Sequence, residues 1–113
     1  MQELADKTYN FAVKGIGFIK SLDKIDAEIN TNELKQCAGA VSLKFIAAMD
    51  SKENDDFANN LRECYNNIIK TLEQLKNLNN LKEKSLENQR NELITEAEEI
   101  TKDLNKIIEK VIY

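Results

Sequence analysis

Residues 86–113 read LENQRNELITEAEEITKDLNKIIEKVIY, one uninterrupted heptad pattern with no proline and no glycine. Leu86, Leu93, Ala97, Ile100, Leu104, Ile107 and Val111 recur at steps near three and four, which places them on one face of a long helix. Such a stripe is too apolar to face water and too narrow to be a core alone. It must pack against other helices. At 1.5 Å per residue the helix spans about 42 Å, and Ile108 and Ile112 widen its apolar face near the end. Those last turns are expected to project beyond a bundle or to meet another subunit.

The chain before this helix repeats the pattern three times. A third helix runs to about Leu78, with Phe57, Leu61, Cys64, Ile68, Leu72 and Leu75 facing inward, until Asn77-Leu78-Asn79-Asn80 breaks the periodicity. The fourth helix then begins between Lys82 and Ser85. A second helix, about Thr31 to Met49, buries Leu34, Cys37/Ala38, Val41, Phe45 and Ala48/Met49. Asn30 with Glu33 three residues on forms a capping-box-like start for it. In the polar turn after it, Ser51 or Asn54 caps the third helix.

The first helix, about Glu3 to Leu22, carries Leu4, Thr8, Phe11/Ala12, Gly15, Phe18/Ile19 and Leu22 on one stripe, and Ile25 and Ile29 are placed to tuck into the bundle end. Gly15-Ile16-Gly17 has no preceding strand and is not a nucleotide loop. With Ala38-Gly39-Ala40 it predicts a close approach of the first two helices. Short connections make consecutive helices antiparallel. The expected fold is therefore all-α: one antiparallel up-down-up-down four-helix bundle over residues 1–113, with Phe45, Phe57, Leu61, Ile100 and Leu104 in its core.

Composition narrows the function. A chain of 113 residues buries roughly 65% of its unfolded surface, enough for one core. Its 16 Lys+Arg against 20 Asp+Glu give a net charge of −4 and a pI near 4.9, whereas phosphate neutralisation calls for a basic face. Histidine is absent. That removes the Glu-x-x-His pairs of di-iron bundles, any Ser-His or Cys-His nucleophile, and helical RNases built on an Arg and a His. Glu92, Glu96, Glu99 and Asp103 line one side of the fourth helix; unless buried and convergent they form a solvated face, and no metal or cofactor is expected. Lys102, Lys106 and Lys110 follow at spacing four. They complement the helix dipole and are also the candidate contact for an anionic ligand.

Cys37 and Cys64 sit at core-like positions and read as reduced, buried residues, a disulfide between the second and third helices being the alternative. The first residues show no basic segment followed by an apolar run, and no stretch nears the roughly 20 apolar residues of a membrane span. A cytoplasmic location is expected.

The segment Gln36-Cys37-Ala38-Gly39-Ala40-Val41-Ser42-Leu43-Lys44-Phe45-Ile46-Ala47-Ala48, followed by Ser51-Lys52, Asp56-Phe57 and Leu61, resembles the four-helix-bundle proteins encoded within intervening sequences of bacterial 23S ribosomal RNA genes. Those proteins are related to the accessory variability protein of diversity-generating retroelements. Val41, Phe45 and Ala48 keep the apolar positions of the pattern. Gln36, Lys44 and Ala47 depart from it, standing where Arg, Asn and Glu are usual. The resemblance implies a barrel-like homo-oligomer, commonly a pentamer, without catalytic activity, that binds RNA or acts beside a reverse transcriptase. The expected function is thus a non-enzymatic, self-associating scaffold or accessory binding factor. The alternative is a monomeric adaptor that docks a partner protein's helix in a groove.

Overall fold

The computed structural model describes residues 2–78 and 81–112, the last of these by its backbone alone. Expectations for Asn79, Asn80, Tyr113 and the Ile112 side chain lie outside the described residues. Four helices follow in order: α1 (Gln2–Ile25), α2 (Asn32–Asp50), α3 (Asn54–Asn77) and α4 (Lys84–Ile112). Each packs against its two neighbours around a square, α1 against α4 included, while the diagonal pairs stay apart. Cross-helix pairs run in opposite order, Lys44–Glu63 with Glu33–Gln74 and Lys7–Asp103 with Lys14–Glu96, so these neighbours are antiparallel. The up-down-up-down bundle measures 45 × 21 × 20 Å.

The core follows the sequence stripes. On α1, Leu4, Thr8, Phe11, Gly15, Phe18, Ile19 and Leu22 are all buried, and Ile25 and Ile29 pack against the bundle end. Phe11, Phe18 and Phe45 are at most 1% exposed, and burying each ring contributes about 1.5–3 kcal/mol. On α3 the buried line is Leu61, Cys64, Ile68, Thr71 and Leu75. Phe57 and Leu72 flank it and are only half-buried, which corrects their expected place in the core. Thr71 can occupy a central position because its hydroxyl donates to the Asn67 carbonyl at 2.7 Å.

The end of α4 departs from the heptad. Leu86, Leu93, Ala97, Ile100 and Leu104 are buried as expected, but Ile108 comes next, with Ile107 half-buried and Val111 54% exposed. Leu86, Ala97 and Ile108 are spaced by eleven, close to the 3.6 residues per turn of a straight helix, whereas a strict heptad demands supercoiling. Ile108 therefore belongs to the core and does not widen an outer contact surface.

Helix starts also differ from the sequence reading. Thr31, not Asn30, occupies the N-cap of α2, and it makes no side-chain cap bond. Its hydroxyl donates instead to Asp23 Oδ1 at 2.6 Å, while Asn30 Oδ1 accepts from the Asn32 N–H. Glu53 is the N-cap of α3. Ser51 closes α2, donating to the Ala47 carbonyl at 2.7 Å. The glycines do not mediate close packing: a Cβ at Gly15, Gly17 or Gly39 would meet nothing within 4 Å. The role expected of these glycines in a tight approach of α1 and α2 is thus not realised.

Candidate functional site

Lys102, Lys106 and Lys110 lie on the outer side of α4, all exposed and none ion-paired with a described residue. Glu98 and Glu99 lie in the turn before the row, Asp103 and Glu109 within it, and Glu109 accepts from Asn105 at 3.2 Å. The row is accessible to an anion, but it is interleaved with acid.

The carboxylates of α4 have a different fate from the one expected. Glu92, Glu96 and Asp103 turn towards α1. Lys7 Nζ lies 3.0 Å from Asp103, and Lys14 Nζ lies 3.2 Å from both Glu92 and Glu96. Hydrogen bonds to these carboxylates, with their negative charge, raise the Lys7 and Lys14 pKa above 10.5. Three of the four carboxylates therefore form a paired seam between two helices, while Glu99 stays on the solvated face as expected. The seam's signal was legible in spacing: Lys7 and Lys14 are seven apart, as are Glu96 and Asp103, and antiparallel helices bring such pairs together.

The α1–α2 face is the part sequence reasoning missed. Tyr9, Val13 and Ile16 on α1 are 49–62% exposed, and Leu43 and Ile46 on α2 are 68% and 51% exposed. The α1 positions recur at steps of four and three, beside the core stripe, which is the signal that could have revealed a second apolar face. Ile16, Ile19 and Ala38 floor a shallow groove of about 290 Å³, edged by Lys20, Asp23 and Lys35. Asp23 closes its end, meeting Lys35 Nζ at 2.9 Å as well as Thr31. The Thr31 hydrogen bond and then that of Lys35 hold the Asp23 carboxyl below its ordinary 3.8.

Other reactive groups are engaged internally. Cys37 and Cys64 are free, buried thiols, so the disulfide alternative is not realised. Cys64 donates to the Val41 carbonyl at 3.2 Å, and burial pushes its pKa up to about 12. Arg90 sits at the α3–α4 corner, its guanidinium donating to the Leu78 carbonyl that ends α3. Among the described residues, no three Cys, Asp or Glu side chains are grouped to hold a metal ion, and no helix is long and apolar enough to cross a membrane. Comparison with protein-family models, with curated proteins and with solved structures finds no match to this chain.

Proposed function

We propose that this protein is a non-enzymatic, self-associating helical bundle that serves as a scaffold or accessory binding factor in the cytoplasm. The observation that carries the reading is the α1–α2 face, where five large apolar side chains are about half or more exposed on adjacent helices. Singly scattered apolar residues need no explanation, but a contiguous group of them marks an interaction surface. The polar groups favour no chemistry: Glu92, Glu96 and Asp103 are paired with Lys14 and Lys7, and Cys64 is far from its thiolate. Two buried, unpaired thiols suit a reducing compartment. The resemblance to the intervening-sequence proteins supports self-association, a ring of five being its expected form. In this reading RNA, alone or in a reverse-transcriptase complex, would meet Lys102, Lys106 and Lys110.

Light scattering on the eluting protein tests the reading. A mass that is a multiple of 12.9 kDa, falling to a single copy in Ile46→Lys with unchanged helical circular dichroism, supports it. A wild-type monomer refutes self-association. The groove beside Ile16 and Ala38 would then favour the second reading, an adaptor that receives a partner's helix. For RNA, replacing Lys102, Lys106 and Lys110 by Gln should weaken binding and flatten its salt dependence; unchanged binding removes those residues from the contact.

A further inference from the structure

We propose, building on the self-association reading, that the α1–α2 face pairs with the same face of a second copy about an antiparallel two-fold axis, α1 against α1 and α2 against α2. The partner follows from where apolar surface is found. Of the large hydrophobic residues exposed among the described residues, all but Val111 lie on this face. A head-to-tail ring needs a second, different apolar face to receive the first, and none is present among the described residues. An isologous pair needs only one. The apolar centre of the face, Tyr9, Val13, Ile16, Leu43 and Ile46, is flanked by charged residues at both ends, the apolar core and polar rim of an interface.

Charge selects the register. Beyond the apolar centre, one end of the face carries Asp6 and Asp50, and the loop past it adds Lys52 and Glu53, which cancel. The other end carries Lys20, Lys24 and Lys35; Lys35 is paired with Asp23, and the loop past it adds Asp26, paired with Lys82, and the exposed Glu28, so Lys20 and Lys24 carry the positive charge of this end. A two-fold axis parallel to the helices would stack lysine on lysine. An axis across them brings Asp6 to Lys20 and Asp50 to Lys35 of the second copy.

The same axis suits both helices. Val13 is midway between Asp6 and Lys20, and residues 42 and 43 are midway between Lys35 and Asp50. The Asp23–Lys35 pair sets α1 against α2 so that these midpoints stand level to within about 4 Å, at 1.5 Å per residue. Around them large meets small. Ile46 falls opposite Gly39, whose missing side chain nothing within this chain fills, and Tyr9 falls opposite Ile16 and Gly17. Val13 meets its own counterpart at the axis.

Three measurements test this pairing. Wild-type protein should have twice the mass of 12.9 kDa. Val13→Cys should form a disulfide-linked dimer on oxidation, whereas Glu99→Cys, on the outer side of α4, should not. The charge variants Asp6→Lys/Asp50→Lys and Lys20→Glu/Lys24→Glu should each lose the dimer, and an equimolar mixture should regain it, because each then supplies the end the other lacks. Circular dichroism of every variant checks that it folds. A mass of five copies, an uncrosslinked Val13→Cys, or a mixture that stays monomeric overturns the two-fold pairing while leaving self-association standing. A monomeric wild type overturns both.

Discussion

Replacing Gly15 by alanine should stabilise this protein, although Gly15 is buried in the middle of α1. A core glycine in a helix ordinarily signals a neighbour too close to admit a methyl group. Here a Cβ at Gly15 would meet nothing within 4 Å. The position borders a small apolar gap of about 10 Å³ lined by Phe11, Phe18, Leu34 and Leu93 among others, room for about one water-sized sphere. Two effects act in the same direction. Alanine is about 1 kcal/mol better than glycine in a helix interior, chiefly because it narrows the unfolded chain's freedom. A methyl group buried in the gap contributes up to about 0.8 kcal/mol. The gain is then about 1–2 kcal/mol. For 113 residues the unfolding entropy corresponds to about 0.24 kcal/mol per degree, so Tm should rise by about 4–8 °C. Gly17→Ala and Gly39→Ala, at less buried positions, should gain about 0.5–1 kcal/mol each from the backbone when measured at concentrations where the protein is a single copy, since both lie in the proposed pairing. Thermal and urea denaturation of the three variants reads the difference. A lower Tm for Gly15→Ala would mean that α1 is packed more tightly at this point than the structure shows, and the reasoning would fail.

The half-burial of Phe57 predicts that Phe57→Ala costs about half as much as Phe45→Ala, for which about 3–5 kcal/mol is expected at 1% exposure; equal losses in urea would contradict the burial of one of them. Asp23 has a native pKa below 3.8, so its contribution is present above that pH and lost as pH falls through the depressed native value. Asp23→Asn should therefore lower Tm at neutral pH, with the gap closing at strongly acidic pH; a gap independent of pH would remove the Thr31–Asp23–Lys35 contact as its cause. With its pKa pushed up to about 12, Cys64 should ignore a thiol reagent at pH 8 until the protein unfolds. Rapid labelling of native Cys37→Ser protein would show the helices α2 and α3 to be looser than drawn.

Most of the fold was legible because burial and helical periodicity state the same thing twice. Every residue expected on the α1 stripe is buried or half-buried, and the α2 stripe is as complete. The misreadings occur where two nearby residues compete for one direction. Ile107, Ile108 and Val111 all fit an apolar end of α4, and only the true turn of the helix chooses Ile108. Asn30 and Thr31 both suit an N-cap, and the choice depends on Asp23, eight residues upstream on another helix. Gly15 and Gly39 look like contact points in the sequence because small residues cluster around them. The relevant quantity, the distance to whatever faces them, is a property of tertiary packing.

The candidate site was harder to read because its residues acquire meaning only in pairs across helices. Glu96 alone is one of many exposed-looking glutamates. The residue numbers of Lys14 and Glu96 have the same total as those of Lys7 and Asp103, and that constancy is the signature of two antiparallel helices locked in one register. The lock also bears on function. Its pairs join the outward charges of α1 and α4, and on the α2–α3 side Lys44–Glu63 and Glu33–Gln74 do the same. Among the described residues the α1–α2 seam has such a contact only at its Asp23–Lys35 end, and its central stretch is apolar, with Tyr9, Val13, Ile16, Leu43 and Ile46 outward. Exposed pairs of this kind contribute little stability. Their distribution is nonetheless informative, since a seam finished with polar pairs is compatible with water. The seam left apolar is the one from which contact with another molecule would exclude water, so a partner is expected on α1 and α2 before any other side of the bundle.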